Sequence, residues 1–456
     1  MKQAILIILA IVVLFVVLGR LHGEHESDGD AISLEFWCYG TGGATNPGAE
    51  FWDDAARRFA EQHPGVRVRV MADMPHGPYL SMLTTRFVGG NPPDVMITDD
   101  GYLGQLAHEG LIASLEGYIQ SDPGYHSEHY APSMVRDGYI GDERYGIPWY
   151  GGYGYLAYRT DLFQEAGVRP PASWAELIAI CRQLQEKAGL DYPFAMEVRS
   201  AFFMMPWIWQ NGGRIMSDDL RTVMIGEAAS IEAVQFVHDL IHKHKVMDPT
   251  VATGTKVVDL WSTGKAAFII QGSWNAGRND TLYPQWQGKW AAAPLPAGKE
   301  AVSFFGGQHL IMSRASEHPD LAWAFMSFIT STESQLRHVE MTGQPPGNLE
   351  VCRAPGFAER FPYFAALPEA VEQGRNMPFV PCFTRIWYEL FQSNVMEVVM
   401  SDPEADVAGV MRDVARDMQA VTDDYWATHE YYVQGRPDGA ARRRRMADGR
   451  VEGWAR

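Results

Sequence analysis

Apolar and polar side chains alternate from Ile32 to Tyr39 in a β-rich stretch, which predicts a first strand. The period then changes. Phe51, Ala55 and Phe59 fall on one helical face, while Asp53, Asp54, Arg57, Arg58 and Glu61 cover the other. Pro64-Gly65 turns the chain into Val66 to Met71, where Val66, Val68 and Val70 alternate with Arg67 and Arg69. A helix from about Tyr79 to Val88 ends at Gly89-Gly90, and Asn91-Pro92-Pro93-Asp94 leads into the apolar strand Val95-Met96-Ile97. Strand alternating with helix predicts a mainly parallel sheet clad in helices.

The same grammar restarts beyond Tyr145. Trp149, Tyr150 and Tyr153 flank Gly151, Gly152 and Gly154, so ring faces sit beside freed backbone between a strand end and a second strand near Gly154 to Tyr158. This predicts a bendable crossover beside a cleft. Ser173 and Glu176 form a capping box that starts a helix at Trp174, itself a core residue. Farther on come an amphipathic helix over Ala228 to Lys245, a buried strand over Ala266 to Ile270, and β-rich runs at Trp290 to Pro296 and Gln308 to Met312. Helices are predicted near Leu321 to Ile329, over Arg385 to Met400 and from about Asp406 to Tyr425. The pattern is an α/β protein of two lobes.

Composition narrows the function. A formal charge of −18 excludes a nucleic-acid partner, whose phosphates demand a basic footprint. Cys38, Cys181, Cys352 and Cys382 are too few for a disulfide framework and lack metal-ligand spacing. Cys38 and Cys181 read as buried small hydrophobes, whereas Cys352 and Cys382 are candidates for one pair. At the N-terminus Lys2 precedes an apolar run from Ala4 to Leu18, roughly 22–25 Å as a helix and short of the ~30 Å hydrocarbon core. It fits a signal peptide or, preferred here, a short uncleaved anchor over residues 1–20, with no lipid-attachment cysteine after it. An acidic linker over 21–31 follows, and the body lies outside the cytoplasm. Arg442 to Arg445 reads as a solvated basic tail.

Signals for catalysis are weak. There is no Gly-x-Ser-x-Gly elbow, no His-Glu-x-x-His and no phosphate loop. Gly40-Thr41-Gly42-Gly43 lacks the third glycine of a dinucleotide turn, since Thr45 stands at that offset, and reads as a ligand-facing turn. His238 and His242 lie four apart with His244 nearby, but their charged neighbours make a solvated face the better reading than a metal site. Asp99 and Asp100 stand at the carboxyl end of a strand, where open α/β sheets bind ligands; a helix N-cap is the competing role. Trp149, Tyr150, Trp207, Trp209, Trp274 and Trp387 offer faces for the apolar side of sugar rings, weighed one by one against core packing. No cofactor and no metal are expected.

A further set of landmarks runs in order along the chain. They include His63-Pro64-Gly65-Val66, Gly90-Asn91-Pro92-Pro93-Asp94-Val95, Glu109-Gly110-Leu111-Ile112, Tyr145-Gly146-Ile147-Pro148 and Tyr158-Arg159-Thr160-Asp161-Leu162-Phe163. Gly264-Lys265-Ala266-Ala267-Phe268, Gly272-Ser273-Trp274 and Thr342-Gly343-Gln344-Pro345-Pro346 complete them. From about Ser33 to Asp424 the order resembles the extracellular solute-binding proteins of ABC sugar importers, the family of maltose-binding protein.

That resemblance implies a periplasmic-binding-protein fold with a hinge, lobe one spanning 32–148 plus 306–348 and lobe two spanning 149–305 plus 349–430. It implies ligand contacts at Tyr39, Gly40 and Thr41, at Asp99 and Asp100, at Trp149 and Tyr150, at Phe202, Trp207, Trp209 and Trp274, and at Gly306 and Gly307. The run from Met377 to Pro381 with Trp387-Tyr388 resembles the late segment whose tryptophan stacks on sugar, and Arg385 joins it as a hydroxyl donor. The expected protein is a monomeric sugar receptor, not an enzyme, that delivers its ligand to an ABC permease at the outer face of the membrane. The rival readings are a secreted glycoside hydrolase using Asp99 or Asp100 and a sensory sugar-binding protein. The start of the chain departs from the family's usual lipoprotein or cleaved signal.

Overall fold

Strand β1 (Ile32–Tyr39) shows how the sheet is built. Its period of two sends Leu34, Phe36 and Cys38 into one apolar core and Trp37 into another on the opposite face. Helix α1 (Pro47–Gln62) covers the first face. Phe51, Ala55 and Phe59 are buried as their spacing requires, and Phe36 meets Trp52 at 4.6 Å and Phe325 at 5.4 Å between ring centroids. Full burial of each such ring stabilises by roughly 1.5–3 kcal/mol. The computed structural model describes residues 31–40, 47–253, 257–378, 380 and 382–434. The apolar N-terminal run, the acidic linker up to Asp30, Thr41 and the Arg442 to Arg445 run lie outside the described residues. No helix among the described residues is long and apolar enough to cross a membrane.

Strand β2 (Val66–Met74), helix α2 (His76–Val88), strand β3 (Val95–Asp99) and helix α3 (Asp100–His108) continue the first lobe, and β1 pairs in parallel with both β2 and β3. Strand β4 (Gly146–Arg159) then carries the chain into the second lobe. There lie helix α4 (Trp174–Ala188), strand β5 (Phe194–Ala195), helix α5 (Ala201–Gln210), helix α6 (Ala228–His242), strand β6 (Phe268–Gly272) and strand β7 (Trp290–Ala293). Strand β8 (Ser303–Met312) returns, followed by helices α7 (Pro319–Thr330) and α8 (Thr332–Thr342). Strand β9 (Gly374–Arg375) pairs with β8, a π-type helix spans Thr384–Met396, and α9 (Val407–Gln434) closes the described chain.

The capping box at α4 forms. Ser173 Oγ accepts the Glu176 amide at 3.2 Å, and the Glu176 carboxylate accepts the amide of Ala172 at 2.8 Å, one residue before the box would place it. The sheet is less parallel than expected. Its path is β2-β1-β3-β8-β4-β6-β5, and the pairs β8–β3, β8–β4 and β4–β6 are antiparallel. The antiparallel pairs arise where the chain crosses between lobes and comes back.

The predicted loop at Gly151 to Gly154 is instead the middle of a continuous fourteen-residue strand. Residues Gly146 to Tyr153 of β4 pair with β8, and Gly154 to Arg159 pair with β6 and β7. Gly151 faces Gly307 and Gly152 faces Gly306 across the ladder. The reason is proximity rather than freedom of φ. A Cβ on Gly307 would stand 1.7 Å from the Tyr150 carbonyl oxygen, and one on Gly306 would stand 2.2 Å from Asn376 Oδ1.

The histidine pair on α6 also differs from the reading as a solvated face. His238 is buried, with Nε2 2.9 Å from the Asp402 carbonyl oxygen, and His242 Nε2 lies 3.0 Å from that of Met400. These carbonyls end the segment after the π-type helix, so the rings tie α6 to it. All four cysteines are free, with Cys38 and Cys181 buried.

Gly307→Ala is expected to lower stability by about 3 kcal/mol or more, because overpacking against backbone has no flexible side chain to yield. An unchanged urea midpoint would show that the crossover can spread.

Candidate functional site

The two crossover strands form the base of a cavity of about 860 Å³ whose walls come from both lobes. Concave sites of roughly 300–1,000 Å³ with apolar walls and a few polar groups are typical for small ligands. At its base lie Trp149, Tyr150, Gly306 and Gly307. Tyr39 and Gly40 from the end of β1 and Asp99 from the end of β3 supply one wall. Phe202 and Trp274 stand on the other, Trp274 with its ring centroid 5.9 Å from Phe202 and 6.0 Å from Phe304. The structure therefore gathers nine of the residues expected from sequence.

Asp99 sits at the N-cap position of α3, but its side chain makes no capping bond there. Its carboxylate accepts the Tyr39 hydroxyl instead. Burial, and then the Asp99 charge, pushes the Tyr39 phenol well up, so it remains a donor. Asp100 opens α3, and its side chain lies outside the described residues, as does Thr41.

Four expected residues are placed elsewhere. Trp207 packs in the second lobe's core, 5.3 Å from Trp174 and 5.8 Å from Phe236, and Trp209 is buried in the same core. Helix α5 is apolar all round, so only Phe202 reaches the cavity. Trp387 is fully buried, sandwiched between Phe391 at 4.1 Å and Phe383 at 6.0 Å. Arg385 is exposed and does not line the cavity. The next residues round the wide helix, Thr384 and Tyr388, line it in their place.

Several lining residues had no sequence signal. Trp52 follows Phe51 on the core side of α1, and its second edge reaches the cavity, with a ring centroid 4.6 Å from Trp149. Tyr102 on α3 lines the cavity as well, and burial first, then the Asp99 charge, pushes its phenol up. Burial first, then Asp99 and Tyr102, pushes the Tyr388 phenol up. Arg278, Gln344 and Asn376 add donors, and Asn376 Nδ2 donates to buried Asp137 at 2.8 Å. With Asp99 and Arg278 in one cavity, opposite charges are available to a neutral polyol.

His338 on α8 lies against Phe51 at 4.9 Å and Trp149 at 4.8 Å. Burial pushes its pKa down to about 3, so the ring is neutral near pH 7.

Residues 42–336 match the family model of the bacterial extracellular solute-binding proteins. A binding protein of Brucella abortus is 24% identical over 386 residues, covering 81% of this chain and 89% of its own. The maltotriose-binding protein of Pyrococcus abyssi is 24% identical over 332 residues, covering 71% of this chain and 69% of its own. Among solved structures, the sugar-binding protein MalE of Xanthomonas citri superposes with a TM-score of 0.76 at 22% identity, covering 89% of this chain and all of that one.

Two outcomes are expected. Trp387→Ala should cost about 3–5 kcal/mol by denaturant unfolding, the range for a buried aromatic, while a surface ring would cost far less. For His338 the folded pKa lies below the unfolded value of about 6.5, so the unfolded chain takes the proton first as pH falls. Stability is then lost from about pH 6.5 downwards, at roughly 1 kcal/mol per pH unit. Melting curves of the native protein and His338→Gln at pH 7 and pH 5 check this; equal pH dependence would remove His338 from the account.

Proposed function

The chain belongs to the bacterial extracellular solute-binding proteins, and on that footing we propose that it captures a carbohydrate, a mono- or oligosaccharide, in the cleft and presents it to the permease of an ABC importer. One observation carries the reading: a single cavity brings ring faces from both lobes together with Asp99, Arg278, Gln344 and Asn376. Aromatic faces stack on the C–H side of sugar rings, and the carboxylate, guanidinium and amides match hydroxyls by direction. One sequence relative is named for maltotriose, and a solved structure named for sugar binding shares this fold.

The division into lobe one over 32–148 plus 306–348 and lobe two over 149–305 plus 349–430 belongs to this proposal. So do closure by bending at the crossover strands and an extracytoplasmic body. Closure is selected by a ligand that touches both walls, because only contacts present in the closed state favour it. A micromolar affinity is about −8 kcal/mol, within reach of two stacked rings and several hydrogen bonds.

A thermal-shift screen against a sugar library tests the class, since a ligand at 100 times its Kd adds ~2.7 kcal/mol. Recovery of the sugar intact after incubation is expected; cleaved products would favour the hydrolase reading instead. For the site, Trp274→Ala is expected to weaken the best sugar by roughly tenfold or more, about 1.4 kcal/mol. Calorimetry that returned an unaltered Kd would remove Trp274 from the site.

A further inference from the structure

Outside the cleft, His126, Glu128 and His129 each bring one ligand atom to within 4.8 Å of the others. No other group of this kind occurs among the described residues. His126 Nδ1 stands 3.3 Å from Glu128 Oε1, and the two imidazole centroids are 4.8 Å apart at a tilt of 36°. His126 and Glu128 are exposed and His129 is half-buried, so an ion reaches them from solvent.

The short turn that holds them is fixed from beneath. Buried Arg144 donates to Ser127 Oγ and to the Tyr125 hydroxyl, both at 2.8 Å. Tyr125 stacks on Tyr130 at 5.6 Å, and the Tyr130 hydroxyl donates to the Thr330 carbonyl at 3.1 Å. Both flanks of the His126–His129 turn are thereby tied to the core, which fixes the backbone that carries the three side chains.

We propose that His126, Glu128 and His129 form a surface site for a borderline divalent transition-metal ion such as Zn²⁺. Two imidazole nitrogens and one carboxylate oxygen suit that class, and water completes the shell. Ligand atoms at ~2.0–2.2 Å from a tetrahedral metal stand about 3.3 Å apart, the spacing His126 and Glu128 already have. A side-chain rotation of His129 closes the third corner. Mg²⁺ and Ca²⁺, which take oxygen ligands, are excluded by the same donor set.

Titration of the EDTA-stripped full chain with Zn²⁺ by calorimetry near neutral pH is expected to show one ion bound, and Mg²⁺ none. The double variant His126→Ala/His129→Ala should lose roughly tenfold or more in Zn²⁺ affinity, with its melting temperature in EDTA unchanged. If that variant melts early, Glu128→Gln, which keeps the shape of the side chain, is expected to bind Zn²⁺ severalfold more weakly. Absence of binding to the intact chain overturns the assignment, and so does equal Zn²⁺ affinity in the altered chains.

Discussion

The cleft depends on one close approach. The carbonyl of Tyr150 lies where a side chain on Gly307 would have to stand, and this contact sets the two crossover strands at a separation that glycine alone permits. The backbone groups there pair along the ladder with β8 rather than facing water, so the crossover is ordered despite its lack of side chains. From that base the walls follow. The ends of β1 and β3 deliver Tyr39 and Asp99 on one side, and the loop after β6 delivers Trp274 on the other.

Aromatic residues divide by what surrounds them rather than by type. Trp387 has ring faces on both sides, Phe391 and Phe383, and no surface left for a ligand. Trp274 meets Phe202 and Phe304 tilted rather than stacked, and it borders the cavity. Trp52 serves both purposes, closing the core over Phe36 while bordering the cleft. The polar groups are divided as well. Asp99 and Arg278 carry charge into the cavity, and buried His338 adds none at neutral pH.

Much of this was legible in the residues. The first strand is legible to its two end residues, Ile32 and Tyr39, because Ile32, Leu34 and Phe36 alternate with Ser33 and Glu35 and the run is rich in β-formers. The cap at Ser173 followed from a local rule that needs no tertiary information. The crossover was harder, since glycine usually marks a turn, whereas here it marks two backbones in contact across a sheet. Trp207 and Trp209 lie on a helix with no polar face, so periodicity could not say which ring looks outward. Trp387 is the expectation that the resemblance to a sugar-stacking segment carries, but the wide helix turns that ring into the core and leaves its neighbour Tyr388 on the cavity. Arg278 and His338 belong to no local motif, and Gln344, although it lies in the landmark from Thr342 to Pro346, carries no local sign of facing a cavity; the three meet only in the folded chain.

The wide helix from Thr384 to Met396 has a bearing on how such a cleft changes over evolutionary time. Its bonds reach one residue farther than those of an α-helix, so each turn holds a surplus residue. Trp387 and Phe391 stand on the same helix as Thr384 and Tyr388, so deleting one residue would turn everything beyond it by about 100°, core column and cavity wall together. Length is thereby fixed where identity is not. Thr384 and Tyr388 can be replaced one at a time while Phe383, Trp387 and Phe391 stay seated, so a new ligand wall comes by substitution and not by a change of length.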